Sequence, residues 1–464
     1  MSGDPSAQAL NILNSDLNAR INPERSRAFD RAKLEASREI LFDLSQKLWP
    51  EARGERISVV GSNGKGSTAW YLSALAESAL RNSPAKSTAA DAASASAERA
   101  ERARVGLYTS PHLESVLERI RLNRESLSAQ TAVAELEYLQ QILADYAKFS
   151  YFEILTLLAW RTFQSLGCPV QVFEAGLGGR FDATRLARAQ TVVLTRIDLE
   201  HTKILGDTPL AILKEKLGIV TPECRRVFYG PQANLAVDDI ETEIRRLAPT
   251  ARIHPWRPVD SYPDYLAENL AFARFILTRV GRSIGLALPV PAPARASSVS
   301  SNSAATPVSP PPARLERRRI RRTSNDGGDR NPDVAAFFDV AHNPASITRA
   351  LRDLAGRPDF PGFDRTDLRL GVLKDRDPVE CLAAAGAVGF RLARLLCGSD
   401  LAPPPPELTR ALPDMAVELE ALGTGAAPSP PRSGTQAVIV LGSHRIYNYF
   451  VDLTAGGEKT DPYI

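Results

Sequence analysis

The stretch Arg56-Ile57-Ser58-Val59-Val60-Gly61-Ser62-Asn63-Gly64-Lys65-Gly66-Ser67-Thr68 carries a short β-branched run into a Gly-rich loop with one lysine and two hydroxyls behind it. Glycines let successive backbone N–H groups turn toward a polyphosphate, a lysine adds a point charge at the terminal phosphates, and a Ser or Thr oxygen can hold Mg²⁺. The segment reads as a phosphate cradle in which Gly61, Ser62, Asn63, Gly64, Lys65, Gly66, Ser67 and Thr68 surround a nucleotide. Downstream, Leu72, Leu75, Ala76, Ala79 and Leu80 share one face of a helix expected from Ser67 to Arg81, giving strand, loop and helix in the required order. The loop is a variant. Val59 stands where the general pattern has its first glycine, and Gly66 where it has Ser or Thr. An ordinary Gly-rich turn is the plain alternative.

At 464 residues the chain exceeds what one core usually organises, so two domains are expected. It is 44% hydrophobic, yet no apolar run approaches the roughly 18 residues that span a bilayer, which points to a soluble globular protein. The first residues lack the basic and then apolar order of a signal peptide, and a cytoplasmic protein is expected. A formal net charge of +3 is too small to imply nucleic-acid or membrane partners. Cys168, Cys224, Cys381 and Cys397 show no C-x-x-C spacing, and read as buried reduced thiols.

Composition shifts divide the chain. Residues 83–104 are rich in Ala, Ser and charge, residues 289–312 in Pro, Ala and Ser, and a third such tract runs over 402–435, interrupted by a more helical Glu407 to Leu422. None can bury enough apolar surface to offset the entropy of ordering. The middle tract is the expected linker at 289–312, between a larger domain at 1–288 and a smaller one at 313–464. In the first, Val170 to Phe173, Thr191 to Thr195 and Arg226 to Tyr229 read as strands between helical patterns; in the second, Val334 to Phe338, Leu368 to Leu373 and Ala437 to Leu441 do the same. The expected class is α/β: a P-loop NTPase-like parallel sheet, followed by a smaller doubly wound, Rossmann-like domain.

Ligands of open α/β sheets lie beyond the carboxyl ends of the strands. Thr109-Ser110-Pro111-His112, Glu174 with Gly176, Gly178 and Gly179, and Asp198, Glu200 and His201 each follow a strand. A hydroxyl, a carboxylate and an imidazole beside a phosphate cradle suit Mg²⁺, although His is less usual for so hard an ion. Four of the five histidines, His112, His201, His342 and His444, come just after expected strands; only His254 does not.

Seven motifs together resemble one family. They are Gly61-Ser62-Asn63-Gly64-Lys65-Gly66-Ser67, Tyr108-Thr109-Ser110-Pro111-His112-Leu113 with Glu118-Arg119-Ile120, Phe152-Glu153 with Thr156, Glu174-Ala175-Gly176-Leu177-Gly178-Gly179-Arg180-Phe181-Asp182-Ala183-Thr184, Ile197-Asp198-Leu199-Glu200-His201 with Leu205-Gly206-Asp207-Thr208, Glu215-Lys216-Leu217-Gly218-Ile219, and Asp339-Val340-Ala341-His342-Asn343-Pro344. Their order and spacing resemble the folylpolyglutamate synthase and dihydrofolate synthase family, a branch of the Mur ligases. The resemblance implies an ATP-dependent amide ligase with Mg²⁺, in which a dihydropteroate or folate carboxylate takes the γ-phosphoryl group and the amine of L-glutamate attacks the acyl phosphate. It implies no nucleic-acid or membrane partner, and a monomer.

The resemblance also distributes roles. Lys65, Lys216 and His342 fall in the catalytic set, and Ser67, Ser110, Glu174, His201 and Lys216 at the metal. Lys216 matches a lysine that the family carbamylates, turning an ammonium into an anion that can hold a cation; by itself it reads as a surface helix lysine. Asp339 and His342 are placed at the nucleotide, Arg314 on its phosphates and Asn269 at its adenine. Phe152 would stack on a pterin ring and Asp182 accept from its amino groups. Departures stand beside the matches: Glu200 replaces Asp, Ala313 a glycine before Arg314, Leu217 a small residue after Lys216, and Arg185 an asparagine. Two rival readings remain. The basic run Arg314 to Arg322 could be a nucleic-acid arm, but it lacks interleaved aromatics. A cell-wall Mur ligase would use the same chemistry, but only about 55 residues precede the first strand, too few for its extra substrate domain.

Overall fold

The computed structural model describes residues 5–20, 40–45, 51–82, 103–143, 146–258, 261–284, 308–320, 334–374, 376–422 and 428–454. Two compact units emerge: Met1–Asp260 with Asn269–Pro310, and Ser261–Glu268 with Pro311–Ile464. Ser261–Glu268, placed in the first domain by the sequence reading, thus clusters with the second. Most of the tract at 83–104 and most of the expected linker lie outside the described residues.

The first unit is built on an eight-stranded sheet. Its strands are β1 (Glu55–Val60), β2 (Val105–Tyr108), β3 (Ile120–Leu122), β4 (Glu125–Ser126), β5 (Val170–Glu174), β6 (Thr191–Leu194), β7 (Arg226–Tyr229) and β8 (Arg252–Pro255), in the order β4-β3-β2-β5-β1-β6-β7-β8. Pairing is parallel except where β3 meets β2 and β4. β1 lies between β5 and β6 and is buried along its whole length, its polar Glu55, Arg56 and Ser58 included, with Ile57, Val59 and Val60 supplying its apolar part. Val59 pairs with Glu174 and Val60 with Leu194, so the loop after β1, Glu174 and Thr195 share the carboxyl edge of the sheet. Separate apolar clusters form around Trp160, Phe163 and Phe173 and around Val192, Leu213 and Ile244. The helix Pro5–Asn18 sends Leu13 and Leu17 into the first of these.

The second unit has six strands, β9 (Glu316–Ile320), β10 (Val334–Asp339), β11 (Thr366–Gly371), β12 (Leu392–Cys397), β13 (Ala416–Ala421) and β14 (Ala437–Gly442), in the order β13-β12-β11-β14-β10-β9. All pair in parallel except β9, which runs antiparallel to β10. Asn343 caps the helix Pro344–Ala355 reciprocally with Ser346, and Pro344 occupies the position where a missing N–H costs nothing. The fold class is α/β with two sheets, one P-loop-like and one smaller and Rossmann-like.

One expectation is corrected and one rival reading loses ground. Glu407 to Leu422 is not one helix: a single turn at Leu408–Ala411 gives way to the edge strand β13. Pro413 stops the helix, and Val417 and Leu419 then follow the period of a strand. The basic run is also no free arm where it is described, because it forms β9. Arg317 pairs with Asp359 at 3.1 Å, and Arg318 with Glu316 at 2.9 Å. No described helix is long and apolar enough to cross a membrane. The four cysteines are free, three of them buried.

Candidate active site

The loop after β1 needs glycine at two places. Gly61 has φ +148° and Gly64 φ +86°. A Cβ on Gly61 would stand 1.9 Å from Thr195 Oγ1, and one on Gly64 would stand 3.2 Å from Asn269 Oδ1. Both the backbone angle and the space therefore exclude a larger residue at Gly61. The loop is tied to the segment following β6: Ser62 N donates to Arg196 O at 2.8 Å, Ser62 Oγ to Asp198 O at 2.9 Å, and Asn63 Nδ2 to Asp198 Oδ2 at 2.6 Å. Burial raises the pKa of Asp198, with the Asn63 bond opposing it. Asn269, implied at the adenine, lies against Gly64.

Two lysines converge on one carbonyl. Lys65, the first residue of the helix Lys65–Asn82, donates from Nζ to Gly61 O at 2.8 Å and to Ser62 O at 3.2 Å. Lys216 Nζ donates to the same Gly61 O at 2.9 Å and pairs with Glu200 Oε1 at 2.6 Å. The reading of Lys216 as a surface lysine is overturned, since its side chain is 1% exposed. The cause lies in Gly179, where a Cβ would come within 2.1 Å of Lys216 O, so the absence of a side chain lets the helix Pro209–Leu217 close in. Burial lowers the pKa of Lys216; Glu200 opposes that and Lys65 reinforces it. Burial alone would raise Glu200, but Lys216, Lys65 and His201 hold its carboxyl below the usual range.

The implied metal ligands are brought together in part. Glu174 ends β5, and its Oε2 accepts from Ser110 N at 3.1 Å. Ser67 and Thr68 are buried on the first turn behind the loop, and Thr68 Oγ1 has no hydrogen-bond partner among the described residues. His201 is left-handed, φ +44°, at the start of Thr202–Leu205, close enough to act on Glu200. Among the described residues no three His, Cys, Asp or Glu side chains gather as a metal centre. What is present is a set of hydroxyls and one carboxylate at a strand edge. That oxygen donor set, with one orphaned hydroxyl, fits a hard divalent cation. Lys216 as an ammonium has no lone pair to offer one.

Phe152 and Asp182 flank Gly176: a Cβ there would lie 2.8 Å from Phe152 Cζ and 3.4 Å from Asp182 Oδ2. Asp182 does not stand free to accept from a ring. Its Oδ2 accepts from Gly176 N and Leu177 N, each at 3.0 Å, and its Oδ1 from Thr184 N and Thr184 Oγ1 at 3.0 and 2.5 Å. Four donors use the acceptor capacity of a carboxylate, so its work here is to hold the Gly-rich loop.

In the second unit, Asp339 ends β10. Its Oδ2 accepts from Tyr265 Oη at 2.5 Å and Leu315 N at 2.8 Å, and its Oδ1 from Ala341 N at 2.9 Å. His342 Nδ1 lies 2.8 Å from Val340 O, and a carbonyl only accepts, so the proton sits on Nδ1. Arg314 is flanked by Ala313 at φ +56° and Leu315 at φ +46°. The sequence departure at Ala313 therefore falls on a residue whose backbone suits glycine.

Sequence reasoning passed over two residues of this site and missed the partner of a third. Glu200 stood among the residues after a strand, but nothing in the chain marked it as the partner of Lys216. Thr195, the wall against Gly61, and Tyr265, 74 residues before Asp339, left no signal in the chain.

No family model matches the chain. A dihydrofolate synthase/folylpolyglutamate synthase of Haemophilus influenzae is 35% identical over 175 residues, which cover 38% of this chain and 35% of that protein. The Escherichia coli protein of the same name is 29% identical over 337 residues, 70% of this chain and 69% of that one. Among solved structures, Mycobacterium tuberculosis folylpolyglutamate synthase complexed with ADP and AMPPCP superposes with a TM-score of 0.65 at 23% identity, covering 97% of this chain and 99% of its own. That structural likeness shows the fold. The sequence match to the Haemophilus protein spans about a third of its length.

Proposed function

We propose that the chain is a member of the folylpolyglutamate synthase and dihydrofolate synthase family, an ATP-dependent ligase that joins L-glutamate to dihydropteroate and to folates. The observation that carries this reading is the convergence of Lys65 and Lys216 on Gly61 O, at the mouth of a glycine loop. The Lys65 ammonium beside a glycine loop suits a reaction whose charge builds on phosphoryl oxygens, with the second lysine buried against the same carbonyl. The substrate carboxylate attacks the γ-phosphorus of ATP, ADP leaves, and an acyl phosphate forms. The neutral amine of glutamate then attacks the acyl carbon, inorganic phosphate leaves, and the amine gives up a proton. Lys65 neutralises the transferring group, and the loop N–H groups orient it.

Mg²⁺, when bound, neutralises β- and γ-phosphate oxygens; Ser67, Thr68, Ser110 and Glu174, with His201, are the residues that would hold it. Lys216 could join them only as a carbamate. Its buried amine has a lowered pKa, which favours the neutral form that adds CO₂ and releases a proton, and Glu200 would then have to leave the new anion. Phe152 supplies a face for a pterin ring, with Asp182 shaping the loop beside it. Arg314, with Asp339 and His342, is assigned to nucleotide binding, and Asn269 to the adenine. The protein acts in the cytoplasm as a monomer, without nucleic acid.

The test is an assay of purified protein with ATP, Mg²⁺, labelled glutamate and either dihydropteroate or a folate. ADP and labelled amide should form in equal amounts, and hydroxylamine should divert the product to a hydroxamate. Folded protein that binds ATP but labels neither acceptor would defeat the proposal. CO₂-depleted buffer should lower the rate reversibly; an unchanged rate rules out the carbamate.

A further inference from the structure

Arg314 is presented by an expensive piece of backbone. Ala313 and Leu315, both fully buried, sit on either side of it at φ +56° and φ +46°, a region that residues with a Cβ avoid. Such a turn persists only if its surroundings over-determine it. Ala313 N donates to Glu316 Oε2 at 3.0 Å, and Ala313 O accepts from Val340 N at 3.3 Å. On the other side, Leu315 N has Asp339 Oδ2 at 2.8 Å. That same oxygen accepts from the Tyr265 hydroxyl, while Oδ1 is held by Ala341 N. Tyr265 is in turn fixed through its own N–H, which donates to Asp353 Oδ2 at 2.8 Å.

We propose that Tyr265 is a positioning residue for nucleotide binding: its hydroxyl locks the Asp339 carboxylate, and the locked carboxylate holds the left-handed backbone that aims Arg314. The step from backbone to nucleotide rests on the proposed role of Arg314 at the phosphates; the latch itself does not. Asp339 then serves the site through Leu315 and Ala341, and Tyr265 serves it through Asp339. The environment agrees with a tight pairing. Burial, with Asp339 adding to it, drives the Tyr265 phenol well above its ordinary range, so the hydroxyl keeps its proton and donates.

Tyr265→Phe removes the donor and little else. Tryptic cleavage after Arg314, followed by mass spectrometry of the intact protein, should speed several-fold while other cuts keep their rates. The Kd for AMPPCP should rise about tenfold, the scale of one lost hydrogen bond to a charged group. Because the effect runs through Arg314, Tyr265→Phe should change Kd no further in an Arg314→Ala background. Ala313→Gly, which relaxes the strained turn, should restore much of the binding lost by Tyr265→Phe, and the double variant serves equally if the single one folds poorly. Unchanged cleavage at Arg314 overturns the latch, and full additivity with Arg314→Ala overturns the route through the arginine. If Arg314→Ala alone leaves Kd unaltered, the phosphate role of Arg314 falls, and the cleavage rates still decide whether the latch exists.

Discussion

The loop after β1 and the loop before β9 both present a cation on left-handed backbone, and they reach that backbone by opposite means. In the first, Gly61 and Gly64 take the positive φ values and Lys65 follows directly. In the second, Ala313 and Leu315 take them, and side chains from distant parts of the unit hold the turn around Arg314. Glycine lowers the local cost at the position itself. Ala313 and Leu315 leave the cost in place, to be offset by the Asp339, Glu316 and Val340 contacts. The first loop is thus specified by its own composition, whereas the second exists only inside a finished fold.

Exchanging the two strategies tests the comparison. Gly61→Ala should do most harm, because left-handed strain adds to a Cβ placed on Thr195; a loss of at least about 3 kcal/mol is expected in denaturant unfolding. A loss well below that would mean that the loop can move off Thr195. Lys65→Ala should leave the fold intact and lower turnover about a hundredfold, the scale of one preorganised electrostatic contact. Near-normal turnover in a steady-state assay would remove the first loop from the chemistry.

Gly64→Ala meets only a flexible Asn269 side chain, so the backbone term dominates and about 1–2 kcal/mol should be lost. A cost as large as that of Gly61→Ala would show that Asn269 is rigidly held. The smallest effect, and the one of opposite sign, belongs to Ala313→Gly. Relief of left-handed strain exceeds the entropy added to the unfolded chain, and stability should rise by about 0.5–1 kcal/mol. Thermal unfolding that shows a decrease would mean that the side-chain contacts already compensate for the alanine.

Much of the first loop could be read from the chain because each requirement was local. Ile57, Val59 and Val60 mark a buried central strand, glycines make the turn, and the periodic face of Leu72, Leu75 and Ala79 makes the helix. Lys216 was misjudged from its own surroundings, since its burial depends on Gly179, far away in sequence, letting the helix approach. Asp182 could be found but not its employment: its neighbours Gly176, Leu177 and Thr184 supply four donors only once the loop is folded. Glu407 to Leu422 failed for a different reason, because Pro413 and a short alternating run were outweighed by the expectation of a helix.

By itself the sequence determined the α/β class, the strand, loop and helix around Lys65, and the family pattern of residues at strand ends, because periodicity and glycine placement act over a few residues. Only the tertiary structure decided that Lys65 and Lys216 share Gly61 O, that Glu200 balances Lys216, and that Tyr265 reaches Asp339 across 74 residues. Charge compensation and hydrogen-bond saturation depend on which groups are buried together. No local stretch of chain contains that information.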